Sequence, residues 1–367
     1  MLARFSLVHA PKVKRLWGHF AVFFLVFLFF EIHVFCTEFE TDSVPFQSPL
    51  QISLDRRQID DANEYEFDSL YSIDSPQSYA LLNADQNALP YTIRGANSTR
   101  NSDGTRTGLY QGVGFSAFYI PGWGNNSLEM TQIHAKVSFG LPLPLENSFF
   151  LVTPSFAPTF MDYHGALPLP QTLYSASIDL RAIKRFNSRL MAMVSITPQW
   201  SSDGRESQES VRYPFMGNLI WNPTERWKVV VGVGYFARND YGVLPFGGLI
   251  WQPNDDWKIE LMAPQIRVAK RWNAVPSFLG NRAEYWRYAG IGFGGGSWAI
   301  ESVAGQPDVA DYNEYSVVAG IEAINKEQIS WKLELGYLFS RAIRFEEHTR
   351  PKLNLSNSLI IRTSVSF

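Results

Sequence analysis

Asn218–Val231 reads NLIWNPTERWKVVV, and Gly248–Leu261 reads GLIWQPNDDWKIEL. Both run through Leu-Ile-Trp, a polar residue, Pro, three polar residues and Trp-Lys into an alternating apolar stretch. The interval between them is the length of one hairpin plus its outer connection. The phrase therefore marks one architectural corner built twice. In each copy a strand ends on Trp (Trp221, Trp251), turns through Pro and polar residues, and the next strand opens on Trp (Trp227, Trp257).

From this corner the alternation extends in both directions. In WKVVVGVGYFAR, Trp227, Val229, Val231, Val233, Tyr235 and Ala237 share one side, with Lys228, Gly232 and Arg238 on the other. WKLELGYLFS from Trp331, LYSASIDLRAIK from Leu173 and TQIHAKVSFGL from Thr131 repeat the pattern. Period-two alternation over stretches of this length predicts half-buried strands. One side is continuously apolar with aromatic ends; the other mixes Gly, Ser and charges of both signs. Trp and Tyr settle at a membrane–water boundary, so the apolar side suits lipid and the mixed side a barrel interior. Trp221, Trp227, Trp251, Trp257 and Trp331 are the expected interface residues.

Short connections are read at 144–147, 184–187, 222–226, 252–256, Gly294–Gly296 and 325–328. Longer ones fall near 121–128, 161–172, 201–212, 238–243, 270–284, 305–313 and 343–355. Short turns on one side and long loops on the other is the layout of a bacterial transmembrane barrel. The Gly294–Gly296 run is read as a hairpin because one strand through it would break that alternation. The expectation is an all-β, antiparallel transmembrane barrel of about fourteen strands, with twelve as the fallback. It occupies residues 107–367.

Composition agrees. Aromatic residues make up 15% and charged residues 18% of the 367 residues. A mean hydropathy of −0.12 excludes a membrane helical bundle but not a barrel, whose alternating strands average out. A basic start and the apolar run Phe20–Phe30 read as a signal peptide, residues 1–36, cut near Cys36–Thr37. Glu31 and His33 disfavour an uncleaved anchor, and bulky Phe35 disfavours a lipidated Cys36. Cys36 is the single cysteine, so the mature chain has no disulfide or thiolate site. Residues 37–106 hold twelve acidic and five basic residues and little periodicity. They read as a periplasmic tail or a lumen plug. No region is basic enough to argue for nucleic acid.

No motif carries catalysis or a cofactor. His134, His164 and His348 have no metal-ligand spacing. GIGFGGGS at Gly290–Ser297 lacks the helix and Lys-Ser/Thr ending of a phosphate loop. A lipid-hydrolysing barrel would need His134 beside a serine and an acid, with Ser138 and Asp179 candidates by strand side alone. The informative set is the interior charge: Lys136, Asp179, Arg181, Lys228, Glu260, Glu322, Lys332, Glu334 and Arg362. Mixed signs favour cross-strand bracing over a selective constriction, with Glu322 expected across from Lys332.

The final SLIIRTSVSF places Leu359, Ile361, Thr363, Val365 and Phe367 on one side. A last amphipathic strand ending in Phe367 resembles the signal that barrel-assembly machinery reads. With YIPG at Tyr119–Gly122 and the W-x-P-x-x-x-W-K turns, residues 107–367 resemble a family of bacterial outer-membrane barrels known only as a domain of unknown function. The resemblance implies an outer-membrane barrel and lends no functional residue. The expected role is porin-like passage or binding of small solutes, or a structural place in the membrane. A barrel for hydrophobic substrates with an N-terminal plug is the alternative, and a lipid-modifying enzyme comes third.

Overall fold

The computed structural model describes residues 109–143, 147–165, 169–206, 210–238, 241–262, 265–272, 283–301, 305–325, 329–346 and 350–367. The signal peptide, the acidic segment and His348 lie outside them. Within them fourteen strands follow in order: β1 (Tyr110–Ile120), β2 (Ser127–Pro142), β3 (Ser148–His164), β4 (Thr172–Arg185), β5 (Leu190–Ile196 continued by Gln199–Ser202), β6 (Val211–Arg212 continued by Phe215–Thr224), β7 (Trp227–Arg238), β8 (Tyr241–Asn254), β9 (Trp257–Met262), β10 (Gln265–Arg271), β11 (Ala283–Glu301), β12 (Pro307–Asn325), β13 (Ser330–Phe345) and β14 (Leu353–Asn354 continued by Ser358–Ser366). Pro198 and Pro214 interrupt β5 and β6, because proline has no N–H to give the ladder. Their carbonyls still accept, from Ile178 and Thr197.

Each strand pairs antiparallel with the next, and β14 returns to β1 from Gly114↔Ser366 to Tyr119↔Ile361. Phe367 completes the seal. Its N–H donates to Val113 O at 2.9 Å, and its carbonyl accepts from Val113 N–H at 3.3 Å. Gly112 makes room for it: a Cβ there would lie 2.8 Å from Phe367 O. Closure leaves no free edge at this join, the requirement for a sheet in hydrocarbon.

The outward positions form an apolar girdle. Val194 and Leu335 are each 60% exposed, and Phe156, Val231, Ile291 and Leu359 stand in the same surface. At the short-turn rim the two copies of the opening phrase meet. Trp227 is opposite Trp251 in the register, and the rings stack with centroids 5.2 Å apart. Each copy carries the same bulge, between Trp221 and Thr224 and between Trp251 and Asn254. The bulge drops one ladder position beside a proline that could not donate there. Thr224 Oγ1 and Asn254 Oδ1 then cap the two turns by accepting from the N–H groups of Arg226 and Asp256.

Two expected connections are corrected. Gly294–Gly296 is not a turn: β11 runs unbroken from Ala283 to Glu301, paired throughout with β12. The expected link at 305–313 is for the most part β12. The glycines bend the strand instead. Gly295 has φ +137°, and a Cβ on it would sit 1.9 Å from Tyr312 O. The overlooked turn lies between Met262 and Gln265, where β9 and β10 pair as a short hairpin. One hairpin too many and one too few leave the count at fourteen. They also put the Arg271 end of β10 at the short-turn rim, where Lys270 pairs with Trp257.

The bend narrows the upper barrel. Ser201 N–H still donates to Ser210 O; above it the neighbour of β5 is no longer β6 but β11. Ala299 pairs with Ser202 in parallel, Asp203 N–H donates to Ala299 O at 3.1 Å, and Glu301 N–H donates to Asp203 Oδ2 at 3.0 Å. The upper ring thus runs β11 through β14 and β1 through β5. A ring of nine alternating strands must place two that run the same way side by side, and here these are β5 and β11. Inside this neck Trp298 and Ile300 pack with Phe118, Ile120, Leu128, Met130 and Leu173, all nearly inaccessible to solvent. Filling a Leu- or Ile-sized site contributes about 1.5–3 kcal/mol.

Gly295→Ala is expected to destabilise the barrel by about 1–3 kcal/mol through backbone strain. Gly242→Ala, where nothing lies within 4 Å of the new Cβ, should be nearly neutral. Urea unfolding in detergent micelles, followed by tryptophan fluorescence, measures both.

Candidate functional site

Below the neck the inner wall divides into three arcs. The first spans β2 to β5 and is hydroxylic. Gln132 Nε2 donates to Thr159 Oγ1 at 2.7 Å, Ser155 and Ser177 hydroxyls are 2.8 Å apart, and Ser138 and Thr153 hydroxyls 3.0 Å. Asp179 accepts from the Thr197 hydroxyl at 3.0 Å and pairs with Arg181 at 2.7 Å.

The second arc, β9 to β14, is charged and closely paired. Lys258 Nζ lies 2.7 Å from Glu260, and Arg267 Nη2 donates to Glu322 at 2.6 Å while its other nitrogen is 3.8 Å from Glu260. Lys332 is 3.2 Å from Glu334, and Arg362 is 3.4 Å from Glu314. Tyr288 lies flat beneath both cations, 4.1 Å from the Arg267 guanidinium and 5.3 Å from Lys332 Nζ. Charge balance and these short contacts are what permit such burial.

The third arc, β5 to β9, is largely apolar, interrupted by Asn218 on β6 and Lys228 on β7. Met191, Met193, Met216, Ile220, Val230, Ile250 and Met262 form one buried cluster, with Ile183 and Phe246 packed against it. Unbranched, polarisable methionine adapts to guests of different shape.

The nine charges expected in the lumen occupy these walls. Glu260, Glu322, Lys332, Glu334 and Arg362 stand in the charged arc, and Asp179 and Arg181 in the hydroxylic one. Lys136 and Lys228 are half-buried on β2 and β7, away from the charged arc. Glu322 does face Lys332 in the register, yet the close contacts run Glu322–Arg267 and Lys332–Glu334. Arg267 escaped the sequence reading for a geometrical reason. If 257–270 is one strand, Arg267 points outward; the turn between Met262 and Gln265 reverses the parity and brings it in. Arg341 was missed likewise. Asn313 pairs with Ala342 but Tyr315 with Phe339, a bulge at Ser340 (φ +52°), after which Arg341, Ile343 and Phe345 point inward. Arg341 then donates to Tyr312 Oη at 2.9 Å, Ser356 O at 3.0 Å and Leu128 O at 3.1 Å. A non-glycine residue at positive φ has no marker in the sequence.

The catalytic candidates are not gathered. His134 and Ser138 are four residues apart on β2, roughly 13 Å at the strand rise. His134 Nδ1 is 3.5 Å from Ser116 Oγ, while Ser138 is paired with Thr153. Among the described residues no group of acids, histidines or cysteines has metal-site geometry.

At the neck, Asp203 links β5 to β11. Partial burial raises its carboxyl pKa, but hydrogen bonds from the N–H groups of Glu301, Glu206 and Arg205 and the Ser202 hydroxyl outweigh that and hold it below the usual carboxylate value.

No protein-family model and no curated protein matches the chain. Among solved structures it is similar to the KdgM porin (8% identity, TM-score 0.32, covering 70% of this chain and 98% of that one). It is also similar to the Pseudomonas putida toluene transporter TodX (11%, 0.36, 71% and 90%) and to a BenF-like porin from Pseudomonas fluorescens Pf-5 (8%, 0.32, 72% and 99%). At these TM-scores the likenesses carry no argument. The strand pairing alone defines the class: a closed, antiparallel fourteen-stranded β-barrel, apolar outside and polar over much of its interior.

Two outcomes follow. Glu322→Ala leaves Arg267 buried without its closest partner and should cost about 3–5 kcal/mol, measured by urea unfolding; Glu346→Ala, at the outer end of β13, serves as the control. Because the folded pKa of Asp203 lies below the unfolded value of about 3.9, its contribution is present above that pH and is lost as pH falls through the folded value. The acid-induced loss of heat-resistant gel mobility should therefore be less steep in Asp203→Asn, which should also be the less stable protein at neutral pH.

Proposed function

We propose that the chain is an outer-membrane barrel that binds or passes small solutes, with its short turns and both barrel ends on the periplasmic side. The observation that supports this most directly is the contrast between the two surfaces of one closed sheet. An apolar girdle with tryptophans at the short-turn rim is stable against hydrocarbon, and the opposite surface carries hydroxyls and paired charges. The seal between Phe367 and Val113 supports a role for the terminal residue in assembly, where outer-membrane lipid and the barrel-assembly machinery are the expected partners. The packing of Trp298 and Ile300 with Phe118, Ile120 and Leu128 supports a closed upper end in this reading. Residues 37–106 act in this reading as a periplasmic tail or a plug. Cargo of apolar character is the second reading, favoured by the methionine-rich arc.

In planar lipid bilayers the purified mature protein should show brief, infrequent conductance steps. Replacing Trp298 and Ile300 with alanine should lengthen the openings several-fold, and deleting residues 37–106 tests the plug in the same assay. Absence of steps in all three proteins would count against passage.

A further inference from the structure

The wall of this barrel is not of even height. β9 and β10 have six and seven residues, whereas a tilted strand needs about 9–11 to cross the hydrocarbon layer. Their hairpin starts at the short-turn rim, at Trp257, and so ends within the apolar girdle. Above it, β8 has no β9 partner beyond Gly248, and β11 has no β10 partner beyond Ile291, among the described residues. β11 leans away at Gly295 to reach β5. The tip of the β7–β8 hairpin rests against β11 and β12: Arg238 stands 5.7 Å from the ring of Phe293 and donates to Asn313 Oδ1 at 2.6 Å and Tyr312 O at 3.1 Å. These contacts bound a seam. The upper edge of β8 forms one side, β11 at Gly292–Phe293 the other, the Met262–Gln265 hairpin the base and Arg238 the latch.

We propose that this seam is a lateral entrance through which an apolar molecule dissolved in the membrane, of alkyl-chain or small aromatic character, reaches the methionine-rich arc. Backbone edges facing lipid are costly, and irregular backbone at membrane depth is tolerated where it lines a cavity or passage. The occupant follows from the surroundings. Val243, Leu261, Ile266 and Ile291 border the seam on its outer side, and all four are exposed and apolar; Leu244 stands on the inner side with Phe246. What meets the outer four at this depth is hydrocarbon, not water. Directly inside, Phe246 and Met262 belong to the apolar cluster that continues to Met216 and Ile250, so an apolar guest first meets apolar side chains, with Lys228 and Glu260 flanking Ile250 at the far end of that path. The packed neck stands on the axial route above. Arg238 holds Tyr312 and Asn313 through its side chain, a latch whose release leaves the strand ladder intact. This inference rests on the solute-binding reading and names its substrate class.

Photolabelling separates the two. The full mature protein in phosphatidylcholine vesicles is irradiated with a bilayer-dissolved alkyl diazirine, and labelled residues are mapped by mass spectrometry. Insertion is expected at Met216, Phe246 and Met262 as well as at outward Val231 and Leu261. Arg238→Ala should raise the inner labelling several-fold and leave the outer labelling unchanged. Leu244→Lys, which sets a charge in the seam, should lower it. Heat-modifiable gel mobility certifies the fold of each variant. Label confined to outward residues in all three proteins overturns the lateral entrance. Inner labelling indifferent to both substitutions overturns the seam as its route. Swelling of the same vesicles in arabinose reports on polar passage independently, so its presence without inner labelling preserves the broader reading and sinks this one.

Discussion

Closure of the hydrogen-bond ladder is the constraint on which the rest of the structure depends. Hydrocarbon offers backbone N–H and C=O groups no partners, so a sheet survives there only if its first strand finds its last. β1 and β14 meet over Gly114–Tyr119, and Phe367 extends the join by two hydrogen bonds to Val113. Once the ring is closed, strand parity decides everything else about the wall. Alternate residues face lipid or lumen, and a one-residue change anywhere reverses the assignment for the remainder of that strand.

The interior departs from an open, uniformly polar tube through the same constraint. An even ring closes with antiparallel neighbours throughout; the nine-stranded neck cannot, and it closes through the parallel Ala299–Ser202 bridge reinforced by Asp203. The glycines at Gly294–Gly296 supply the bend that makes this reachable, and Gly295 in particular occupies a backbone position a side chain would block. Narrowing above requires surplus wall below, and the short β9–β10 hairpin with the overlapping β7–β8 tip is where the surplus ends. Neck and seam are thus consequences of one change in strand number with height.

Much of the wall was legible in the residues. The repeated corner, the alternation from Trp227 and from Trp331, the interface tryptophans and the terminal strand all depend on local period and turn chemistry, and the strands stand where that logic puts them. The errors share a cause. Three consecutive glycines look like a turn, while the apolar run through Met262 and Gln265 does not, although those two residues pair. Distinguishing them requires the partner strand: β12 pairs straight past the glycines, and β10 folds back on β9. Arg267 and Arg341 were assigned to no site because their direction depends on a hairpin and a bulge that only pairing reveals.

By itself the sequence determined the strand character, the outward-facing set and the corner at Trp221–Trp227 that recurs at Trp251–Trp257, because side-chain alternation and proline geometry act within a few residues. The tertiary structure alone decided which strands reach full height, that β11 leaves β10 for β5, and that the closely paired charges of β9 to β14 and the methionines of β5 to β9 gather in different arcs. Those outcomes depend on contacts between residues far apart in the chain, such as Arg238 with Asn313 and Arg341 with Leu128. No local pattern records which distant partner a strand edge or a guanidinium will find.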